Sequence, residues 1–428
     1  MAILTSVALV FGITLLVVGV LRLLLTPFAL VFEARYGRAP RGPHDVGPMF
    51  PEPPHVSVVV PAYNEAVVIV HCVRSILRSD HPHLEVVCVD DGSTDDTFAL
   101  MEGLAAEHPS VRAIRQANAG KGAALNTGIA AAHGEVLLLV DADGLFRPDT
   151  VTELLRGFRD ERVGAVCGND RPVNLDRVQT KLLALISHVG TGLMRRALDV
   201  VHALPIVSGN VGAFRRDVLE RTGPFRTDTL GEDLELTWRI YERGYRVTFA
   251  PRALVHAESP STLRGLWRQR VRWARGLLQT TDLHRRTIGN PRYGFFGPYL
   301  AYNTLAQLVL PFVQVLAVVV LAVLVLTDGT SWLPSGLWPW VLFLGIPLSL
   351  ALLLLAIALD RAPGDLRFLW TVPLWPLYSA MMTFVTIDAV RLELGGAEQR
   401  WNKLDRSGTV SVKGLVDDDD DASPPSSS

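Results

Sequence analysis

Between residues 56 and 143, short apolar runs alternate with longer stretches of helical character. Residues 56–60 (VSVVV), 84–90 (LEVVCVD), 111–115 (VRAIR) and 134–143 (GEVLLLVDAD) have the length and β-branched content of buried strands. The turn PAYNE leads into a helical stretch that runs through Leu77, and DGSTDD opens a second helix with capping residues. Strands that are apolar on both faces, separated by helices, predict a parallel sheet covered on both sides. In such a sheet the functional loops lie at the C-terminal ends of the strands.

Longer apolar runs flank this region. Residues 3–32 are almost continuously apolar, broken by Arg22, which is enough for one tilted membrane-crossing helix and too long for a cleaved leader. Arg35, Arg38 and Arg41 follow, and an excess of positive charge predicts that the next domain is cytoplasmic. Five prolines between residues 41 and 55 mark a linker. Residues 297–327, 337–359 and 368–390 form three further apolar segments. Four spans would leave the C-terminus outside, yet Arg391, Arg400, Lys403 and Arg406 flank the last segment. Either one of the four is interfacial or re-entrant, or the 297–327 stretch passes differently. The chain closes on five aspartates followed by serine and proline, the composition of a solvated tail. The expected division is a membrane helix at 1–34, a linker at 35–55 and a catalytic domain at 56–257. An amphipathic region at 258–290, a membrane region at 291–392 and a tail at 393–428 complete it.

Composition narrows the picture further. The 428 residues carry a formal net charge of −2, which gives no reason to expect a nucleic-acid partner. Mean hydropathy is positive, and the excess sits in the flanking segments rather than in a larger core. Three widely spaced cysteines, Cys72, Cys88 and Cys167, form no CxxC pair and suit a reducing compartment.

Candidate chemistry gathers at the strand ends. The first predicted strand ends in Pro61, Tyr63 and Glu65, the second in Asp90-Asp91, the fourth in Asp141-Ala142-Asp143. Carboxylates there can accept hydrogen bonds from a base or ribose. A pair at i and i+2 beside a diphosphate can hold Mg2+ or Mn2+, which prefer oxygen ligands. The DxD triplet alone is weak, since about one copy is expected by chance in a chain of this composition; its place at a buried strand end gives it meaning. Lys121, in Asn118-Ala119-Gly120-Lys121-Gly122, can meet a phosphate or a base, although on this motif alone a plain helix-entry turn is the favoured explanation. Glu232 and Asp233 open a helical stretch, where a carboxylate is either a simple cap or a general base. Residues 261–285 read as a basic amphipathic helix in a membrane surface. On it Leu263, Leu266, Trp267, Val271, Ala274, Leu277 and Leu278 share a broad face, Arg264, Arg268, Arg272 and Arg275 lie to one side, and Gln269, Arg272 and Trp273 project together. Arg272 can bind a diphosphate and Trp273 can stack on a sugar ring.

The order PAYNE, VDDGS, NAGKG, DAD, SGN, GED and QRVRW resembles the processive family 2 glycosyltransferases, which include cellulose, chitin, hyaluronan and poly-N-acetylglucosamine synthases. The resemblance covers about residues 54–285. Residues 251–276 and 400–408 are most similar to the bacterial poly-β-1,6-N-acetylglucosamine synthases. It implies an α/β GT-A fold, Rossmann-like with a mostly parallel sheet, carrying α-helical transmembrane segments at the cell membrane. It implies a UDP-sugar donor, UDP-N-acetylglucosamine above others, with Pro61, Tyr63, Glu65, Asp91, Lys121, Asp141, Asp143, Gln269, Arg272 and Trp273 at the nucleotide sugar. Asp141 and Asp143 would hold Mg2+ or Mn2+. Asp233 would be the catalytic base with Glu232 beside it, and Ser208, Gly209, Asn210 and Trp273 would meet a polysaccharide acceptor. The lipid bilayer and an accessory membrane subunit are the other expected partners. One departure is Gly231, where the family's base motif usually has threonine.

Three other readings compete. A non-processive relative would place one sugar on a lipid, and its product pattern would reveal it. A catalytically dead scaffold predicts lost carboxylates, whereas every expected acidic position is filled. A dinucleotide-binding oxidoreductase needs GxGxxG after the first strand, which is absent.

Overall fold

The structure, a computed structural model, describes residues 20, 23–37, 46–328 and 338–397. Most of the expected N-terminal membrane segment, part of the proline-rich linker and the acidic tail lie outside the described residues. The chain divides into two compact units, one formed by residues 40–180 and 204–266 and the other by residues 181–203 and 267–398 with the N-terminal segment.

The first unit is built on one sheet. In chain order its elements are β1 (Val56–Ala62), α1 (Ile69–Leu77), β2 (Leu84–Asp90), α2 (Thr97–Glu107), β3 (Val111–Arg115), α3 (Lys121–Ala131), β4 (Val136–Leu139), β5 (Leu145–Phe146), α4 (Thr150–Leu155) and β6 (Val163–Pro172). After α5 (Val178–Ser187) and α6 (Met194–Val200), the sheet resumes with β7 (Gly212–Arg215), α7 (Arg216–Thr222), α8 (Glu232–Glu242) and β8 (Arg246–Ala257). The strand order is β3-β2-β1-β4-β7-β6-β8-β5. Strands β1 to β4 pair in parallel, β7 runs antiparallel to both β4 and β6, β6 pairs in parallel with β8, and β5 closes the edge antiparallel to β8. The sheet is therefore parallel in its first half and mixed in its second.

The valine-rich strands explain the first half. Every residue of β1 is buried, as are Val136, Leu137, Leu138 and Leu139 of β4, so both faces need cover. Helix α1 supplies part of it with Ile69, Cys72, Val73 and Ile76. Helix α3 comes unusually close. A Cβ on Gly128 would lie 2.3 Å from Val59 Cγ1, so only glycine allows this approach. A second tie runs from α3 to the loop before α8: Asn126 accepts from the Phe225 N–H at 2.8 Å and donates to the Phe225 carbonyl at 2.9 Å. This bond pair ties the middle of α3 to the segment that leads to Glu232 and Asp233.

The second unit is helical. Residues 23–32 are helical and end in a π-helical turn, Glu33–Gly37. Beyond the sheet come α9 (Leu263–Leu283), α10 (Phe296–Thr304), α11 (Leu310–Asp328), α12 (Trp338–Leu359) and α13 (Trp375–Leu394). Helix α9 enters this unit at Trp267. There Val271 packs against Val385 and Ala389, and the Trp267 indole N–H donates to Asp388 at 3.2 Å. Arg275 corrects the sequence reading. Instead of facing lipid headgroups it is buried, pairs with Glu393 and donates to the Ala397 carbonyl at 2.7 Å. Its fork-shaped guanidinium gains more from two fixed acceptors than from water. Leu263, placed by periodicity on the apolar face, is 65% exposed.

A buried ionic cluster joins the 181–203 excursion to the end of α12. His188 meets Asp360 at 2.6 Å through Nδ1 and Asp365 at 2.8 Å through Nε2. Arg196 meets Asp360 at 2.7 Å and Glu33 at 3.5 Å, and donates to the Leu359 and Gly192 carbonyls. Among the described residues one helical segment, Pro363–Leu394, is long and apolar enough to cross a membrane; Pro347–Leu359 is a shorter apolar helix. Helices α11 and α12 cover much of the expected crossings at 297–327 and 337–359, and Pro347 lies inside α12.

Candidate active site

The C-terminal ends of β1, β2 and β4 carry the loops that the sequence singled out. Asp90, the last residue of β2, is fully buried, accepts from the Ser93 N–H and pairs with Arg115 at 3.2 Å. Asp91 is also fully buried. Its two carboxylate oxygens accept from the Gln116 side chain at 2.7 Å and from the Ala119 and Gly120 N–H groups at 2.9 and 2.8 Å. The Asn118 side chain returns a bond to the Asp91 carbonyl at 2.9 Å. Asp91 therefore folds the Asn118–Gly122 turn around itself. Gly120, with φ of +90°, supplies the left-handed step before α3 begins at Lys121.

That turn delivers Lys121 into a group of carboxylates. Its Nζ lies 2.6 Å from Asp141 Oδ1 and 3.4 Å from Glu232 Oε1. Burial alone would lower the pKa of the ammonium. The charges of Asp141, Glu232 and Asp233 outweigh it and hold Lys121 well above the usual lysine range. Asp141 is partly exposed, while Asp143 two residues on is buried.

Asp233 stands on the first turn of α8. Its Oδ1 accepts from the Leu234 N–H at 2.8 Å and its Oδ2 from the Gly209 N–H at 3.2 Å. Burial, then the neighbouring Glu232 charge, pushes its pKa up to about 6 from the ordinary 3.8, with Lys121 pulling the other way. A carboxylate with those properties is a base poised near neutral pH. Gly209 sits in the middle of this arrangement, because a Cβ there would come within 2.7 Å of Lys121 Nζ. Gly209 thus approaches Asp233 through its backbone, while the Ser208 and Asn210 N–H groups bond Cys167 and the Ser208 hydroxyl.

Thr237 was missed by sequence reasoning. Its hydroxyl donates to the Asp233 carbonyl at 2.7 Å and accepts from the Val207 N–H at 3.0 Å, which locks the Ser208–Asn210 turn to α8. Its position four residues after Asp233 on one helix face was the available signal. Gln116 was missed as well, since nothing local marks it as a partner for Asp91.

The structure gathers Lys121, Asp141, Gly209, Glu232 and Asp233 within the sheet unit. Pro61 is buried at the end of β1, and Tyr63 and Glu65 are partly exposed in the turn that follows, where Asn64 and Glu65 donate backbone N–H groups to Ser93 and Thr97. Gln269, Arg272 and Trp273 belong to the helical unit. There Trp273 is 48% exposed and the Arg270 guanidinium stacks 4.3 Å from its ring centroid.

Among the described residues no three His, Cys, Asp or Glu side chains close a metal site by themselves. Asp141 and Asp143 are hard oxygen donors of the kind Mg2+ and Mn2+ use, and these ions bind through one or two carboxylates completed by substrate phosphates and water. The donor set fits a cation that arrives with a diphosphate.

Residues 53–276, just over half the chain, match the pattern of the glycosyltransferase-like family 2. The chain belongs to this family. This family 2 glycosyltransferase is 30% identical over 222 residues to poly-beta-1,6-N-acetyl-D-glucosamine synthase from Staphylococcus epidermidis, a match covering 52% of the chain and 54% of that relative. It is 32% identical over 267 residues to the probable glycosyltransferase YdaM from Bacillus subtilis, covering 59% and 64%. The chain therefore aligns with little more than half the length of these curated relatives. A mannosyltransferase from Pyrobaculum calidifontis, solved in complex with GDP-Man and Mn2+, is 26% identical with a TM-score of 0.62, covering 92% of this chain and all of that one. The sheet unit of this chain has the mostly parallel GT-A-like glycosyltransferase fold.

Proposed function

We propose that this family 2 glycosyltransferase is an inverting, processive enzyme that adds N-acetylglucosamine from a UDP-sugar to a growing polysaccharide. The observation that carries the reading is Asp233, a carboxylate whose basicity is raised by burial and by Glu232, held by two backbone N–H groups beside the Lys121 and Asp141 pair. Asp233 accepts the proton of the acceptor hydroxyl as that oxygen attacks the anomeric carbon. Attack from the side opposite the leaving diphosphate inverts the configuration, and a diphosphate leaves without a proton donor. Asp141 and Asp143 would hold Mg2+ or Mn2+, which supplies neutralisation of charge on the leaving group. Glu232 keeps Asp233 basic, and Gly209 in the Ser208–Asn210 turn leaves a side-chain-free position for an acceptor sugar. Arg272 contributes positive charge toward the diphosphate and Trp273 an exposed ring for sugar stacking.

The sugar is inferred from the poly-beta-1,6-N-acetyl-D-glucosamine synthases among the relatives. Elongation is supported by the Gln269, Arg272 and Trp273 pattern. A multi-pass place in the cell membrane, with the sheet unit cytoplasmic and the product passed outward, is supported by exposed apolar side chains on the helices. These include Leu316, Val319 and Leu326 on α11 and Leu377 and Phe384 on α13. A second donor class is favoured by one observation, the likeness to a mannosyltransferase solved with GDP-Man. The test is purification in detergent followed by a panel of UDP- and GDP-sugars with Mg2+ or Mn2+. Release of UDP from UDP-N-acetylglucosamine and a polymeric product are expected. Turnover of GDP-mannose alone, or a single-sugar lipid adduct, would overturn the donor or the processive assignment respectively.

A further inference from the structure

We propose that Lys121 is a built-in counter-cation that keeps the acidic pocket closed to a free divalent cation until a nucleoside diphosphate arrives. The proposal rests on the reading of Asp141 and Asp143 as cation ligands.

Three features of the site support it. First, the ammonium sits where a cation would: 2.6 Å from one oxygen of Asp141 and 3.4 Å from Glu232, with Asp233 in electrostatic reach. Second, Lys121 is the first residue of α3, the end of a helix where positive charge is disfavoured. The surrounding carboxylates, not the helix, hold it there. Third, the turn before it is fixed by Asp91, which accepts from both Ala119 and Gly120, so the stem starts from a rigid point. Its far end remains the adjustable part.

The charges then dictate an order of events. A divalent ion on Asp141 must share that oxygen with the ammonium or push it away, and two cations at contact distance repel strongly in a partly buried site. A nucleoside diphosphate brings negative charge that gives the ammonium a new partner, so Lys121 moves from Asp141 to phosphate and frees the carboxylate. Lys121 is in this sense a positioning residue. It makes cation and nucleotide binding mutually dependent, and such coupling is reciprocal.

The experiment is Mn2+ binding to the full chain in detergent, followed by calorimetry or electron paramagnetic resonance with and without UDP or GDP. Wild type should bind Mn2+ weakly alone and at least about tenfold more tightly with the matching nucleotide. Lys121→Met should bind Mn2+ alone about tenfold more tightly than wild type and gain little from nucleotide. Lys121→Arg, which keeps the charge, should resemble wild type. Mn2+ affinity of Lys121→Met no higher than that of wild type overturns the proposal. If Lys121→Met fails to fold, Gly209→Ala decides. Its Cβ would crowd Lys121 Nζ at 2.7 Å and displace it with every charge retained. Tighter Mn2+ binding by this variant supports the proposal and unchanged binding overturns it. Failure of the underlying reading looks different: wild type would then bind no Mn2+ even with nucleotide, and Asp141→Asn and Asp143→Asn would change nothing.

Discussion

The raised pKa of Asp233 predicts a pH profile that an ordinary aspartate would not give. A base must be deprotonated to act, so activity is present above its pKa and lost as pH falls through it. With the value at about 6, roughly a tenth of Asp233 is ionised at pH 5, and kcat/KM should fall to about a tenth of its plateau there. An aspartate at the ordinary 3.8 would keep more than nine-tenths of the activity at pH 5. The same shift acts on stability with the opposite sense. A carboxyl whose folded pKa is raised favours folding below its unfolded pKa and loses that contribution as pH climbs through about 6. At pH 7 the difference between 3.8 and about 6 amounts to about 3 kcal/mol against the fold, an upper figure because the side chain is only partly buried. Asp233→Asn should therefore lower turnover by at least about 100-fold while leaving nucleotide binding intact and the melting temperature at pH 7 unchanged or higher. The assay is nucleotide release against pH for wild type, with calorimetric nucleotide binding and thermal melting for the variant. An acid limb below pH 4.5, or normal turnover by Asp233→Asn, would refute the assignment of the base.

Other expectations are equally direct. Arg272→Ala should cripple turnover; unimpaired polymer synthesis would remove Arg272 from the diphosphate. Asp360→Asn strips one partner from both His188 and Arg196 in a buried cluster, and a loss of about 3–5 kcal/mol should appear as easier proteolysis of the helical unit. A wild-type digestion pattern would show that the cluster contributes little. Gly128→Ala should lower the melting temperature, because its Cβ has no space against Val59, and an unchanged melt would mean that α3 shifts freely.

The first half of the sheet was legible residue by residue. The runs 56–60 and 84–90 became β1 and β2 because a central parallel strand is buried on both faces, and 111–115 became the edge strand β3, of which only Val111 is buried. The fourth run, 134–143, shortened to Val136–Leu139, since its last residues turn away to form the acidic loop. Strands β5 to β8 were not read. Val163–Pro172 ends in Gly-Asn-Asp-Arg-Pro, which looks like a turn, and pairing with β7 and β8 is what makes it a strand. The site divides in the same way. Strand-end carboxylates could be placed from local pattern, but the meeting of Lys121 with Glu232 depends on Asn126 binding Phe225, a contact 99 residues long. The expectation that Asp91 faces the nucleotide meets a carboxylate already engaged by its own loop. Arg275 escaped the periodicity argument because helical spacing cannot tell a buried ion pair from a surface charge.

The ionic cluster around Asp360 also bears on synthesis. His188 and Arg196 emerge from the ribosome more than 160 residues before Asp360, and the rest of the sheet, 204–257, is made in between. Two polar side chains must therefore wait, solvated, while the catalytic unit is completed. A fragment ending soon after Trp273 would retain the acidic site yet never receive the carboxylates that bury those side chains. Folding intermediates of this chain should thus expose the 181–203 helices until the last helices are in place, which makes that excursion the natural target for a chaperone during biogenesis.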